Sequence, residues 1–445
     1  MKNRILVVGL GKSGRALVEV LLAEGHEVEV YDSKSLGCFE KDLQRQLGFS
    51  RGYFNELPEA MDYDFVAMSP GVSLDEPVPK WALRESVPLK GELEIAFERS
   101  RGEFVGITGT NGKTTTTTLT YEIFKEFFPQ VALAGNIGFP AVTQVGQARE
   151  NTIFVTEISS FQLETIEHFK PKLGGILNIT PDHLNRHKTL EAYTAAKLRL
   201  FENYSDRDVR VLNYDDDFLR SYGEGFESTF FFSRTQKLKR GCWVRDDGMI
   251  VCDAGRGGTT VMSLKEIRLP GVHNLENVLA ALSFGFLYGI PASVMARVVG
   301  AFKGVEHRLE IFAQKRGITF INDSKATNPE ATIKAIEAMD GPTILIAGGM
   351  DKGSDFSPLI DTFSPFVKHL CLYGETREIF KKTAQARGYP HVSTHEDLGE
   401  ALAKALEFAG EGDRILLSPA CASWDMYDNF EVRGRHFKNL VNELV

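Results

Sequence analysis

Residues 104–115, Phe-Val-Gly-Ile-Thr-Gly-Thr-Asn-Gly-Lys-Thr-Thr, set a lysine and two hydroxyls directly behind a glycine-rich turn. The apolar run 104–107 reads as a strand, and Leu119, Ile123 and Phe127 recur at helical spacing after the turn. That order makes a phosphate cradle. Its glycines let backbone N–H groups turn inward, and the partial positive charge at a helix N-terminus attracts anions. Gly109, Thr110, Asn111 and Gly112 form the loop, Lys113 reaches for β- and γ-phosphates, and the Thr114 or Thr115 hydroxyl ligates Mg²⁺. Ile107 occupies the first glycine position of the strict G-x-x-x-x-G-K-[ST] pattern, with Gly106 and Gly109 on either side. The competing reading is an ordinary glycine-rich strand–helix turn.

Three more residues carry chemistry in the same segment. Glu157 follows an apolar run at 152–156, where an acidic Mg²⁺ ligand belongs; a solvated glutamate is the alternative. His183 ends the Thr180-Pro181-Asp182-His183 stretch, as a functional imidazole or as a turn residue, and Asp182 and His187 nearby do not complete a metal trio. Lys197 lies within the stripe formed by Leu190, Tyr193, Leu200 and Phe201 on a helix expected over 189–202. Either its stem is buried and its ammonium snorkels to water, or its amine works uncharged or modified, because burying an unpaired ammonium is expensive.

The elements that must position these groups are α/β throughout. Residues 4–10, 28–31 and 65–68 read as strands; Gly9, Gly11 and Gly14 after the first, with Asp32 after the second, make a nucleotide-binding fingerprint. Ser69-Pro70-Gly71 closes the third strand at the sheet edge where ligands collect. From 101 the alternation restarts, with strands at 104–107, 131–134, 152–156 and 176–179. Short strands at 228–270, with the hairpin signal Asp246-Asp247-Gly248, read as a small antiparallel annexe. Strands at 318–322, 343–347, 370–373 and 415–418 make a third doubly wound region. The expected organisation is three domains, each a mostly parallel strand–helix sheet: Rossmann-like at 1–100, P-loop ATPase-like at 101–302, and Rossmann-like at 303–445.

Composition bounds the partners. At 445 residues the chain is too long for one core, and 43% hydrophobic with 25% charged residues is an ordinary globular balance. A net charge of −9 argues against nucleic acid as a partner. The five cysteines, scattered and without C-x-x-C, suit a reducing cytoplasm and no zinc site. No run of 18 apolar residues offers a membrane span, and the N-terminal apolar run is a strand rather than a signal peptide.

Taken together, Gly109 to Thr114, Gly135-Asn136-Ile137-Gly138, the run from Glu157 to Glu164, Asp182-His183, Ala196-Lys197, His273-Asn274 and His307-Arg308 resemble the Mur ligases, ATP-dependent amide ligases of peptidoglycan precursors. The run from Asn322 to Pro329 and the Ser418-Pro419-Ala420-Cys421-Ala422-Ser423 stretch resemble the D-glutamate-adding branch. The resemblance spans the whole chain in order, and it changes several readings. The first domain is then expected to hold a UDP-sugar, UDP-N-acetylmuramoyl-L-alanine, through Lys12, Ser13, Asp32, Ser33, Lys34, Ser69 and Gly71, with Asn136 and His183 touching substrate and metal. Ser33-Lys34 keeps a hydroxyl and a cation but lacks the bidentate fork of an arginine. Two Mg²⁺ ions are implied on Thr114, Glu157, His183 and Lys197, the last carbamylated by CO₂. Asn274, Arg308 and Asp323 would hold ATP, and Lys325, Thr327, Lys352, Ser423 and Phe430 would grip D-glutamate. Lys113, Glu157, His183 and Lys197 would carry catalysis, in a cytoplasmic monomer. The competing readings are another Mur-type ligase, a folylpolyglutamate-type ligase, or an NAD-dependent oxidoreductase carrying a P-loop domain.

Overall fold

Short apolar runs closed by Gly, Asn or Asp become the strands of three sheets. The structure, a computed structural model, describes residues 2–38, 44, 52–57, 62–269, 271–350 and 353–444. Met1–Phe302 forms one compact unit with two of the sheets, and Lys303–Val445 forms another with the third.

In the first sheet β1 (Arg4–Val8), β2 (Glu27–Tyr31), β3 (Gly52–Phe54), β4 (Phe65–Met68) and β5 (Leu89–Gly91) run parallel in the order β3-β2-β1-β4-β5. Leu6, Val8, Val66 and Met68 are buried on one face, and Ile5, Val7, Val28, Val30 and Ala67 on the other. Covering both faces is why these strands read as unbroken apolar runs. The strand order reverses between β1 and β4, so their carboxyl ends open a crevice there.

The second sheet holds β6 (Glu103–Thr108), β7 (Val131–Gly135), β8 (Ile153–Glu157), β9 (Leu173–Ile176), β10 (Arg210–Asn213), β11 (Phe230–Ser233), β12 (Gly241–Val244), β13 (Met249–Asp253) and β14 (Thr259–Ser263), in the order β14-β13-β12-β11-β10-β9-β6-β8-β7. The annexe at 228–270 continues this sheet. β11 and β12 join it in parallel, and only the last two pairings are antiparallel. In β9 the strand lies earlier than the apolar run 176–179 suggests, because Gly174 and Gly175 break the pattern. A methyl on Gly175 would stand 2.6 Å from the Phe284 ring, so the glycine admits a packed helix at the cost of a legible strand. Cys242 and Cys252, ten residues apart in the sequence, face each other across β12 and β13 as buried free thiols.

A single apolar cluster runs from the first sheet into the second through Leu17, Leu21, Leu93, Phe104, Phe154 and Phe169. The helix Lys113–Lys125 packs against the helix Val272–Leu287 over the second sheet. The helix at Lys197 is Leu190–Leu198, capped by Thr189, whose hydroxyl accepts from Ala192 N at 3.2 Å, and it tightens into a 3-10 turn at Arg199–Phe201.

In the second unit β15 (Glu310–Lys315), β16 (Ile318–Asn322), β17 (Thr343–Gly348), β18 (Val367–Tyr373), β19 (Val392–Thr394) and β20 (Arg414–Leu417) lie in the order β15-β16-β20-β17-β18-β19. All pairs are parallel except β15 with β16. Among the described residues no helix is long and apolar enough to cross a membrane.

Candidate active site

The glycine-rich loop sits between β6 and the helix Lys113–Lys125, as its sequence order demands. Gly112 caps that helix in the left-handed region (φ 81°), and a methyl there would lie 2.1 Å from Asn277 Oδ1. Asn277 also accepts from the Thr116 hydroxyl at 3.2 Å and donates to Asn274 Oδ1 at 3.1 Å. Asn274 is thus tied to the loop through a residue that sequence reasoning missed; its one signal was a second asparagine three positions along the same helix. Asn111 N donates to Asn178 Oδ1 at 2.8 Å, and the Thr110 hydroxyl donates to Thr180 O at 3.1 Å while accepting from Thr180 N at 3.0 Å. These bonds hold the loop against the segment carrying Asp182 and His183. Lys113 Nζ folds back onto Gly109 O (2.9 Å) and Thr110 O (2.7 Å), and Thr114 and Thr115 are buried beneath the turn.

Glu157, at the end of β8, is 2% exposed. Its Oε1 accepts from Asn136 Nδ2 at 2.7 Å, whereas Oε2 is buried with no hydrogen-bond partner. A buried carboxylate oxygen without a donor is costly unless a cation meets it, so Glu157 fits the role of a metal ligand.

Lys197 is 1% exposed, so the snorkelling alternative fails. Its Nζ donates to Gly109 O at 2.7 Å and lies 4.6 Å from the centre of the Tyr193 ring. Burial pushes its pKa down to about 6. The Lys113 charge pushes the same way, while Asp182 and Glu157 pull back. The Tyr193 hydroxyl donates to Thr110 Oγ1 at 3.2 Å and, being buried, titrates up at about 12.

His183 is exposed in the left-handed region (φ 51°), with its Nε2 3.5 Å from Asp182 Oδ2 and its ring 4.9 Å from that of Phe161. His187 is instead buried, 2.9 Å from the Ser160 hydroxyl and 3.5 Å from Glu164; burial holds its pKa below the usual imidazole range.

At the first sheet's crevice, a methyl on Gly14 would stand 1.7 Å from Gly9 O, which accounts for the third glycine of the fingerprint. Asp32 spends its carboxylate on the loop, accepting from Leu10 N at 2.7 Å and Lys34 N at 3.0 Å. Ser33 and Lys34 are exposed, as is Gly71, whereas Ser69 is buried against the glycine turn and Ser13 is half-buried. Lys12 reaches across to Gly138 O and lies 5.9 Å from the centre of the exposed Phe139 ring. A cavity of about 460 Å³ lined by Gly11, Lys12, Arg15 and Phe139 opens beside it.

In the second unit, burial pushes the Asp323 carboxyl up to about 7, although it accepts from Ser418 Oγ (2.8 Å) and Leu309 N (3.1 Å) and feels Arg308 and Lys325. Arg308, Lys325, Thr327 and Phe430 are half-buried and Ser423 is buried; Lys352 lies outside the described residues. Arg433, missed in the sequence, is fully buried. It donates to Ser324 O (2.9 Å), Ser324 Oγ (3.0 Å), Cys421 O (3.1 Å) and Ala422 O (3.2 Å), fixing the turns that carry Lys325 and Ser423.

The chain matches the Mur ligase MurD-like N-terminal domain over residues 3–91, the Mur ligase middle domain over 107–285 and the Mur ligase glutamate ligase domain over 307–421. It is 46% identical to a UDP-N-acetylmuramoylalanine–D-glutamate ligase of Alkaliphilus metalliredigens, covering 100% of this chain and 99% of that protein. It is also 46% identical to one from a Thermoanaerobacter species, covering 99% and 98%. In fold it resembles the UDP-N-acetylmuramate–alanine ligase MurC of Thermotoga maritima, with a TM-score of 0.60 at 18% identity over 99% of both chains. The MurF ligase of the same organism, solved with ADP, gives 0.58 at 18% identity over 99% of this chain and 94% of that one.

Proposed function

The chain belongs to the Mur ligase family, and from that premise we propose that it joins D-glutamate to UDP-N-acetylmuramoyl-L-alanine in peptidoglycan-precursor synthesis, cleaving ATP to ADP and phosphate. The observation that carries this reading is the run of three matched segments, in order, along one chain that is 46% identical to D-glutamate-adding relatives from end to end.

The chemistry divides among the residues of the site. A carboxylate is a poor acyl donor because its oxygen will not leave, so the alanyl carboxylate takes the γ-phosphoryl of ATP to become an acyl phosphate. The D-glutamate amine then attacks the acyl carbon and phosphate departs. Lys113 exchanges its two loop carbonyls for phosphoryl oxygens, and the loop N–H groups and helix N-terminus hold the negative charge that builds there. Thr114, the unpartnered oxygen of Glu157, His183 and a carbamate on Lys197 would hold two Mg²⁺ ions, which when bound neutralise phosphoryl charge. Asn136 orients Glu157, and Tyr193 and Thr110 orient the loop around Lys197. The attacking amine must be neutral, and His183, exposed beside Asp182, would take its proton where it does not serve as a metal ligand.

On the same reading Lys12, Ser13, Asp32, Ser33, Lys34, Ser69 and Gly71 line the UDP-sugar site, with Asp32 acting through the loop it braces. Asn274, Arg308 and Asp323 serve ATP; Lys325, Thr327, Lys352, Ser423 and Phe430 serve D-glutamate. On the same reading the enzyme works in the cytoplasm as a monomer. The test is phosphate release from ATP with UDP-N-acetylmuramoyl-L-alanine and a panel of L- and D-amino acids. D-glutamate should be preferred over D-aspartate and L-glutamate by at least about 30-fold, the equivalent of one unmet buried charge contact at ~2 kcal/mol. Equal turnover of another amino acid, or turnover without one, would overturn the assignment.

A further inference from the structure

The segment that carries His183 also reaches back to the first sheet. Arg186, three residues after His183 in the helix Leu184–His187, donates from Nη1 to Pro70 O at 2.9 Å and from Nη2 to Val72 O at 2.9 Å. The same guanidinium is paired with Glu164 and lies 4.2 Å from the centre of the Phe161 ring. Both partners of the pair are largely buried, at 12% and 13% side-chain exposure. Glu164 is held in turn, since Arg199 donates to its carbonyl and to Ile166 O.

The two carbonyls that Arg186 grips bracket Gly71, and Ser69 begins their turn. That turn lies directly on the glycine fingerprint, for a methyl on Gly9 would meet Val72 at 2.5 Å and Ser69 at 3.2 Å. On its other side, the Phe161 ring that stacks on Arg186 also packs on His183 and on His187, with centroids 4.9 and 5.6 Å away. One guanidinium therefore spans two carbonyls, a carboxylate and an aromatic face. A planar five-donor fork can do this, and a lysine ammonium cannot.

Resting on the ligase reading above, we infer that Arg186 is a positioning residue: it sets the register between the UDP-sugar edge of the first sheet and the His183 segment of the second. A long substrate anchored by its diphosphate at one edge must present its alanyl carboxylate at the other. An error of about 1 Å between the two costs on the order of 100-fold in rate. Arg186 spends its donors on backbone carbonyls and on Glu164 and is not itself assigned to either end of the substrate, so its loss should damage the coordination of the two ends more than the binding of either.

The experiment compares wild type, Arg186→Lys and Glu164→Gln in the full chain. Three quantities are measured for each: Kd for ATP, Kd for UDP alone, and kcat and KM for UDP-N-acetylmuramoyl-L-alanine with D-glutamate. For Arg186→Lys we expect kcat/KM for the UDP-sugar to fall by on the order of tenfold or more, with both Kd values within about twofold of wild type. Glu164→Gln, which leaves the carbonyl contacts and removes the counter-charge, should show the same split at about threefold, and it decides the matter if the lysine variant does not fold. A kcat/KM within twofold of wild type overturns the inference. So does a parallel loss of ATP affinity, UDP affinity and turnover, which is what a purely structural role produces. Wild-type enzyme lacking D-glutamate-dependent phosphate release would instead refute the ligase reading, before any variant is made.

Discussion

Replacing Lys197 by methionine should stabilise the protein while abolishing its activity. In the unfolded chain this amine titrates at its ordinary value of 10.5; in the fold, burial and the nearby Lys113 charge bring it to about 6. Between those values the unfolded state binds a proton that the folded state does not, so stability rises with pH by ~1.4 kcal/mol per unit and is lost as pH falls toward 6. At pH 7.5 the deprotonation deficit is ~4 kcal/mol, an upper figure because the site relaxes. Methionine fills much the same volume and carries no proton. Gly109 O, deprived of the Lys197 donor, keeps its bond from Lys113 at 2.9 Å. Urea melts of both proteins at pH 6.5 and 8.5, in bicarbonate-free buffer, should show the wild-type slope gone in Lys197→Met and a gain of ~2–4 kcal/mol at the lower pH. The same depressed pKa would make the amine available to CO₂. Only a neutral amine adds CO₂, and at pH 7.5 most of this one is neutral, against on the order of one in a thousand of a free lysine. Native mass measurement in bicarbonate should therefore show wild type heavier by one CO₂ and Lys197→Met unchanged. Lys197→Arg should be inactive, and Lys197→Ala should recover part of its turnover with added formate or acetate. A methionine variant less stable than wild type at pH 6.5, or a fully active arginine variant, would refute the argument.

Lys113→Ala should cut kcat by at least about 10²-fold, or ~3 kcal/mol of transition-state stabilisation, and leave the melting temperature nearly unchanged, because its present partners are loop carbonyls. Near-normal turnover at saturating ATP would remove this loop from phosphoryl transfer. Gly112→Ala forces a side chain into the left-handed region and against Asn277, so calorimetric ATP affinity should fall along with ~1–2 kcal/mol of stability. Asp323 has its folded pKa raised from 3.8 to about 7, so the folded state holds a proton the unfolded state has released. Its contribution is full below pH 4 and is lost by ~1.4 kcal/mol per unit as pH rises toward 7. Asp323→Asn should flatten that decline, raising stability at pH 8, and should weaken ATP turnover; denaturant midpoints at pH 5 and 8 give the comparison.

The candidate positions were legible as candidates because each rests on local order. Gly-Thr-Asn-Gly-Lys-Thr-Thr specifies its own turn and helix start, and three Gly residues after an apolar strand do the same at Gly9 to Gly14. Lys197 stood out because a charge at helical spacing within an apolar stripe contradicts its surroundings, and its burial follows from that. Strand pairing was less legible: β9 hid behind two glycines whose purpose, admitting the rings of Phe284 and Phe201, lies on a distant helix and turn. The direction in which β11 and β12 join their neighbours is likewise set by crossovers that four-residue strands do not record.

Composition and motif order by themselves determined an α/β chain with a nucleotide cradle, because turn chemistry and apolar periodicity act over a few residues. Only the tertiary structure decided that Asn277 braces Gly112, that Glu157 keeps one oxygen unpaired, and that Arg186 links the turn at Pro70 to the His183 segment. Those partners lie tens to more than a hundred residues apart in the sequence. Side-chain hydrogen bonds, burial and the pKa values that follow from them depend on which distant backbone groups packing brings within about 3 Å.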